Sequence, residues 1–447
     1  WCCGEQTGAR RSCASNAISD ASRNTWWLGA CLCGAECSGN HCEWCGRGVM
    51  KPVLIGATEA GFSALPASVQ ARIAAADHVI AARRFHAELP PGPQIEEWPT
   101  PFGDIFSRIE TLQDRRLVML ATGDPLWYGA GASILARLGP DKCEVIPAVS
   151  GFQMAAMRMG WPLASVETLT IHGRPLAGIL PRLYPRARLL LLTSDGKAPE
   201  QVAELLTQAG CGAARISVLA HIGGNEELRL DGLAATWAHS DVPDFHILAV
   251  DCAECHAAAT GFVLPDVAFE NSGKLTKRDM RADAVAKLAP FPGAVLWDIG
   301  CGSGAIAIDF LRNAPRGSAH AIDRDPVQLA MATRNAVACG VPQLQLHQAD
   351  LPDGLAKLPQ PDAIFIGGGL SDALVADCQA ALPGGGVLVA HCVTIESEAI
   401  LTAQWQATGG ELTRLAVHHA DPIGGFHGWR PLMPVTQWHW VKQQERP

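Results

Sequence analysis

From Met50 onward, short runs of β-branched and aliphatic residues alternate with longer stretches of helical character. This alternation limits the fold more than any other feature, because parallel strands cannot be joined by a tight turn and need a long crossover, usually a helix. The chain is therefore expected to be α/β, with parallel sheets and two series of strands. The first series comprises residues 53–55, 78–81, 116–121, 144–146, 168–171, 188–193, 215–219 and 245–250. The second comprises 294–299, 318–322, 343–347, 363–367, 386–391, 411–418 and 436–441. A chain of 447 residues with 48% hydrophobic content can bury more than one such core. No apolar run reaches the roughly 18 residues that cross a bilayer, so no membrane span is expected.

The first 49 residues read differently: they hold eight of the sixteen cysteines and four of the thirteen tryptophans, contain no lysine, and show neither helical nor strand periodicity. Cys31, Cys33, Cys37, His41, Cys42 and Cys45 offer ligands for zinc, but their spacing matches no zinc pattern and no metal site is assigned. Met50 is expected to be the natural start, with residues 1–49 a translated upstream segment or a disordered extension. The segment lacks the apolar core of a secretory signal, so the expected compartment is cytoplasmic. The other cysteines are scattered and read as reduced thiols. Cys252, Cys255 and His256 spell a haem-attachment pattern, but that chemistry requires export. They are read instead as the close of a first domain, residues 50–257, ahead of a linker and a second domain, residues 262–447.

Net charge is −9, divided as −5 over residues 50–260 and −4 over 261–447. Neither half is a basic platform for nucleic acid, so an anionic ligand must be met by local arginines and lysines.

The sharpest motif lies in the second half. An apolar strand ending at Asp298 and Ile299 runs into Gly300, Cys301, Gly302, Ser303 and Gly304 and then a helix, where glycines let a ligand approach the backbone. Asp323, nineteen residues after Gly304, ends the next strand, where a carboxylate can accept hydrogen bonds from ribose hydroxyls. A nucleoside ligand follows. The spelling Gly300-x-Gly302-x-x-Ala305 also fits a dinucleotide fingerprint, so the glycines alone leave an NAD-dependent oxidoreductase open.

With the turn at Ala349 and Asp350 and the fourth strand from Pro361 to Ile366, the motif resembles class I S-adenosylmethionine methyltransferases. The resemblance implies that Gly300 to Gly304 pass the methionine part, Asp323 holds the ribose, and Ala349 and Asp350 flank the adenine. Further segments, Gly273 to Arg278, Gly367 to Gly369, Gly384 to Gly386 and Pro422 to Pro434, are collinear with the C-terminal domain of the precorrin-6Y C5,15-methyltransferase (decarboxylating) family. That resemblance places Thr276 at the cofactor.

In the first half, Gly123, Asp124 and Pro125 follow a strand and precede an aromatic helix start, with Ser150, Gly151 and then His172, Gly173 and Arg174 further on. As a bare pattern this is common turn chemistry. In context it resembles the tetrapyrrole methylases, which implies a second S-adenosylmethionine site at Gly123, Asp124 and Ser150. The chain departs from that family after its first strand, where Ala57 stands at the second glycine of the loop and its methyl group is expected to hinder close approach.

The combined resemblance implies a fold of a tetrapyrrole methylase α/β domain followed by a class I, Rossmann-like methyltransferase domain. It also implies S-adenosylmethionine as cofactor and a small-molecule tetrapyrrole as substrate, methylated at carbons 5 and 15 and decarboxylated, with self-association possible. Arg83, Arg84, Arg278, Arg281 and Arg430 are the candidate contacts for substrate carboxylates, and His418, His419 and His427 candidate proton donors. A methyltransferase acting on RNA or another small molecule, and a non-catalytic tetrapyrrole carrier, are the remaining readings.

Overall fold

The computed structural model of the protein describes residues 50–255 and 261–444. The cysteine-rich segment with its zinc-type ligands lies outside the described residues, as does His256.

The first sheet is built from β1 (Val53–Ala57), β2 (His78–Ala81), β3 (Gln94–Glu96), β4 (Leu117–Thr122) and β5 (Glu144–Ile146), all parallel, in the order β3-β2-β4-β1-β5. Every residue of β1 is buried, as a central parallel strand covered on both faces requires. Helices α1 (Ala67–Ala74), α2 (Ile105–Thr111) and α3 (Ala130–Leu138) supply that cover. Ile55, Ile73 and Val79 pack on one face, and Leu54, Ile80 and Ile134 on the other.

After α4 (Gly151–Met159) the chain forms a second sheet from β6 (Glu167–Thr170), β7 (Arg188–Leu192), β8 (Arg215–Ala220), β9 (Leu228–Leu233) and β10 (His246–Asp251), with α5 (Ala198–Gln208) between β7 and β8. Its order is β6-β7-β10-β8-β9, and β6 with β7 is its parallel pair. The remaining pairs are antiparallel, which corrects the expectation of parallel sheets throughout. The segment from β8 to β9 is too short for a crossover helix. Cys211 and Cys255, expected to be reduced, are joined as a disulfide with Cα atoms 4.5 Å apart. Both are buried in one core with Val202, Leu206 and Val250, whereas Cys252 is a buried thiol.

The third sheet follows α6 (Arg278–Leu288). It contains β11 (Val295–Ile299), β12 (Ser318–Asp323), β13 (Gln345–Gln348), β14 (Ala363–Ile366), β15 (Val387–Cys392) and β16 (Glu411–Leu415), with α7 (Ala305–Asn313), α8 (Pro326–Ala338), α9 (Asp372–Ala381) and α10 (Ile395–Thr408) as connections. A hairpin of β17 (His418–Ile423) and β18 (Phe426–Pro431) precedes the last strand, β19 (Val435–Val441). The order is β13-β12-β11-β14-β15-β19-β16, parallel as far as β15 and antiparallel beyond it. Strand order reverses between β11 and β14, and a ligand crevice opens at the carboxyl ends beside such a switch point. The strand expected over 411–418 is broken, because the chain leaves the sheet after Leu415 and turns back through Gly424 and Gly425, a two-residue hairpin loop with Gly424 at φ +59°. Among the described residues no helix is long and apolar enough to cross a membrane.

Candidate active sites

In the third sheet, Gly300, Gly302 and Gly304 all take positive φ, at 69°, 52° and 76°. A Cβ on Gly300 would come within 2.7 Å of the Gly368 amide nitrogen, so the turn after β14 packs directly on the turn after β11. Gly302 faces open space, its nearest neighbour being Gln328 Oε1 at 3.8 Å from a hypothetical Cβ. Its N–H donates to Asp323 Oδ2 at 3.0 Å, and the Asp325 N–H donates to Oδ1 at 3.0 Å. The carboxylate is thereby fixed beside the turn while each oxygen keeps a lone pair for a further donor. Ala349 follows β13, and its N–H reaches the Asp323 carbonyl at 3.3 Å, so Ala349 and the exposed Asp350 border the same strand end. Cys301 and Ser303 complete the turn, with the Cys301 thiol pushed up by burial.

Asp298, at the base of this turn, is almost wholly buried. Its Oδ2 accepts from the Ala307 N–H at 3.1 Å, but Oδ1 is buried without a partner. Burial, with a smaller push from the Asp323 charge, raises its carboxyl to about 7, against the Ala307 hydrogen bond.

Thr276 lies just ahead of α6, and its carbonyl is held by Arg281 Nη1 at 2.6 Å. Arg281 is corrected here as a substrate contact: it is completely buried, with Nε on Asp309 Oδ2 at 2.6 Å, Nη1 also on Asp266 Oδ1 at 3.1 Å, Nη2 on the Leu264 carbonyl, and the guanidinium 4.7 Å above the Phe269 ring. Four of its five N–H groups are committed within the protein and the side chain is closed to solvent, so it serves to position Thr276 rather than to meet a ligand. Asn335 on α8, which carried no sequence signal, does similar work. It donates to the Ser303 carbonyl at 3.0 Å and the Glu270 carbonyl at 2.8 Å, tying the segment before α6 to the glycine turn.

The other half contains a cavity of about 1030 Å³ between the first and second sheets. Gly123, Asp124 and Ser150 all line it. Gly123 takes φ +64°, Asp124 Oδ1 closes an Asx turn on the Leu126 N–H at 2.8 Å, and Ser150 caps α4 in a reciprocal capping box with Gln153. The expected obstruction by Ala57 does not occur, and in a Gly-x-Gly-x-x-Gly loop running from Gly56 to Gly61 the second glycine falls at Thr58, which does line the cavity. Ala57 is buried in the core beside Ile55 and Val79 and does not line the cavity. It is Gly56 that needs to be glycine, because a Cβ there would meet the Gly123 carbonyl at 2.4 Å.

Aromatic rings of Trp98, Phe102, Trp127, Tyr128 and Phe152 line the cavity, with His172 and Arg174. Arg174 stands 5.7 Å from the Tyr128 ring centroid and is exposed. Arg84, by contrast, is claimed by the protein: its Nε lies 3.2 Å from Glu59 Oε2, it donates to Thr122, and it stacks on Phe85 and Phe245. That removes Arg84 as a free carboxylate contact. Arg83 is exposed, 3.8 Å from Glu97, and Arg278 is exposed at the start of α6. Arg430 sits on the hairpin, 3.3 Å from Asp421. His418, His419 and His427 are exposed on the same hairpin, His419 lying 3.4 Å from Asp279. The structure does not gather the five arginines into one site.

Two families match this chain. Residues 53–237 match the Tetrapyrrole (Corrin/Porphyrin) Methylases, and residues 267–442 match the Precorrin methyltransferase domain. A relative from Sinorhizobium sp, named precorrin-6Y C(5,15)-methyltransferase [decarboxylating], is 39% identical over 399 residues, covering 87% of this chain and 96% of that protein. A shorter relative from Pyrobaculum aerophilum, named probable cobalt-precorrin-6B C(15)-methyltransferase (decarboxylating), is 32% identical over 167 residues, covering 36% of this chain and 85% of that protein. Among solved structures, the C-terminal domain of precorrin-6Y C5,15-methyltransferase from Rhodobacter capsulatus is 36% identical, covers 41% of this chain and 100% of its own, and aligns with a TM-score of 0.39.

Proposed function

The chain belongs to the precorrin-6Y C5,15-methyltransferase (decarboxylating) family, and from that premise we propose that it methylates precorrin-6Y at carbons 5 and 15 and removes CO₂ from the ring C acetate, giving precorrin-8X in cobalamin biosynthesis. The observation that carries the reading is a pair of different glycine-bearing turns, one in each half: Gly123 beside the N-terminal cavity, and Gly300, Gly302 and Gly304 beside the fixed Asp323 carboxylate where strand order reverses. Residues 50–257 and 262–447 are read as the two methyltransferase domains. The short relative's name joins carbon 15 methylation to decarboxylation in one protein, and we assign both to the C-terminal half and carbon 5 to the N-terminal half.

Methyltransferases of this family use S-adenosylmethionine, which when bound supplies a methyl group on positively charged sulfur. The residues present fit such a cationic nucleoside: an unpartnered buried Asp298 oxygen, an open backbone face at Gly302, and a fixed Asp323 carboxylate with free lone pairs. Gly300 to Gly304, Asp323, Ala349, Asp350 and Thr276 would hold it in the C-terminal half, and Gly123, Asp124 and Ser150 in the N-terminal half. The bridging carbons of the reduced macrocycle are electron-rich, so the protein has to orient them rather than supply a nucleophile. In the cavity, flat aromatic walls suit the macrocycle, and Arg174 offers a cation to its carboxylates.

The test is incubation of the full chain with precorrin-6Y and S-adenosylmethionine, read by product mass. Gain of two methyls with loss of one CO₂ is expected. An intact protein that binds S-adenosylmethionine but leaves the mass unchanged sinks the substrate assignment, and binding of NADH in its place would return the reading to an oxidoreductase.

Asp298 gives the cofactor site a pH dependence. Below about 7 its carboxyl is protonated, and a cationic ligand must displace that proton to gain the negative charge. Affinity in the C-terminal half should therefore fall as pH drops below about 7, by up to roughly ten-fold per pH unit, and level off above it. Calorimetric titration across that range should lose the slope in Asp298→Asn, and a slope retained in that variant would assign it elsewhere.

A further inference from the structure

Ile322, Ile299, Ile366 and Ala390 stand side by side across β12, β11, β14 and β15. The residues that follow them, Asp323, Gly300, Gly367 and His391, therefore stand at one level at the carboxyl ends of these strands, along the crevice edge, Asp323 and His391 still within the sheet. His391 lies two strands from the glycine turn, about 10 Å at ordinary strand spacing. It is a buried imidazole that the cofactor site does not use.

Its surroundings set its tautomer. Gln437, its cross-strand neighbour on β19, lies 2.6 Å away through Oε1, and Gln437 Nε2 donates to Asp283 Oδ2 on α6 at 2.5 Å. A carboxylate accepts only, so the Gln437 amide must turn its NH₂ to Asp283 and its oxygen to His391, and His391 must donate from Nε2. Nδ1 is left with the lone pair. That atom has no hydrogen-bond partner among the described residues and is not sealed from solvent. The groups facing the ring are Asp283 and Lys287 from α6, Gln437 from β19 and the Phe365 ring from β14 at 5.0 Å. Burial pushes the imidazole below its ordinary value, against Gln437 and Asp283, so it is neutral at neutral pH.

The two steps assigned to this half complement each other in protons. In carbon methylation a new C–C bond forms, the S–CH₃ bond breaks, and the substrate gives up H⁺ as its electron pair returns to the macrocycle. In decarboxylation the C–CO₂⁻ bond breaks, CO₂ leaves, and the electron pair left on carbon takes up H⁺. Run at one site, the pair needs no net proton, only a group that accepts one and gives it back.

Resting on the function proposed above, we propose that Nδ1 of His391 takes up the proton released on carbon 15 methylation and returns it to the carbon from which CO₂ departs. The neutral ring has the lone pair for the first step. The resulting imidazolium, held through Nε2 by Gln437 and Asp283, is the acid for the second.

The test is His391→Gln in the full chain, since glutamine can donate to Gln437 but cannot titrate. S-adenosylmethionine affinity is expected to stay within about three-fold while CO₂ release falls roughly 10²–10⁴-fold, the usual range for a lost acid–base group. CO₂ release within about three-fold of wild type, in a folded variant, overturns the assignment and leaves the function standing. A wild type that releases no CO₂ overturns both. Should the variant fail to fold, ¹⁵N resonances of the wild-type imidazole and its pH–rate profile decide. An Nε2-protonated tautomer and loss of rate through one ionisation below 6.5 are expected, and the opposite tautomer or a flat profile overturns the proposal.

Discussion

Replacing Arg281 by alanine is expected to destabilise the C-terminal half by roughly 3–5 kcal/mol, the cost of removing one partner from a buried ion pair. The guanidinium is fully buried, and so is Asp309, its partner at 2.6 Å. Alanine leaves that carboxylate in the core with the Leu264 N–H at 3.0 Å and the more distant Arg312 charge, and it strands the carbonyls of Thr276 and Leu264. Burial already pushes Asp309 upward against the Arg281 charge, so loss of the arginine drives the carboxyl toward its protonated form and limits the damage. Because Arg281 also holds Thr276, the cofactor affinity of this half should fall with stability. Calorimetric unfolding of the full chain checks the first effect. The double variant Arg281→Met, Asp309→Leu should recover much of the loss by removing both charges, whereas the position of Thr276 would not be restored. A single-variant loss below about 1 kcal/mol would show that the pair is not the anchor described.

The same arginine illustrates where sequence reading stops. In sequence Arg278 and Arg281 are two cations at the start of one helix, equally suited to a ligand. Only the fold shows that Arg281 turns toward Asp309 on α7 and Asp266 ahead of α6, while Arg278 faces solvent. His391 is hidden in the same way. Val387, Val389 and His391 alternate on one face of β15, but the partners that define the ring come from 46 residues later and 108 residues earlier, at Gln437 and Asp283. By contrast, Gly300 to Gly304 and Asp323 were legible because strand, turn, helix and next strand are contiguous, so local backbone demands write themselves into adjacent residues.

The strands follow the same division. Central strands such as β1, β4, β11 and β15 were legible because burial on both faces demands an unbroken aliphatic run. At the edges β5, β6 and β13 were expected, but β3 and β9 were not. β3 has three residues, only partly buried. β9 carries Asp231 and Gly232, which look like a turn. Gly232 is there because a Cβ would lie 2.8 Å from the Trp237 ring, so the strand makes room for a side chain that sequence order does not bring to mind.

Asp323→Ala should separate the two halves of the reaction. A carboxylate that accepts two ribose hydroxyls contributes roughly 1.5–3 kcal/mol per charged hydrogen bond, so its loss should weaken S-adenosylmethionine at the C-terminal site by about 10²–10⁴-fold. Alanine also frees the Gly302 and Asp325 amides, each now held at 3.0 Å, and lets the glycine turn relax. Asp323→Asn keeps one acceptor oxygen and puts an NH₂ in place of the other, so it should fall between wild type and alanine. No residue lining the N-terminal cavity touches this carboxylate, so that half should keep its own cofactor affinity. Calorimetry should therefore change from two binding events to one, and CO₂ release and the carbon 15 methyl should disappear together from the product mass. Loss of the methyl with CO₂ release intact would place decarboxylation outside the C-terminal cofactor site, and two unchanged binding events would remove Asp323 from cofactor binding altogether.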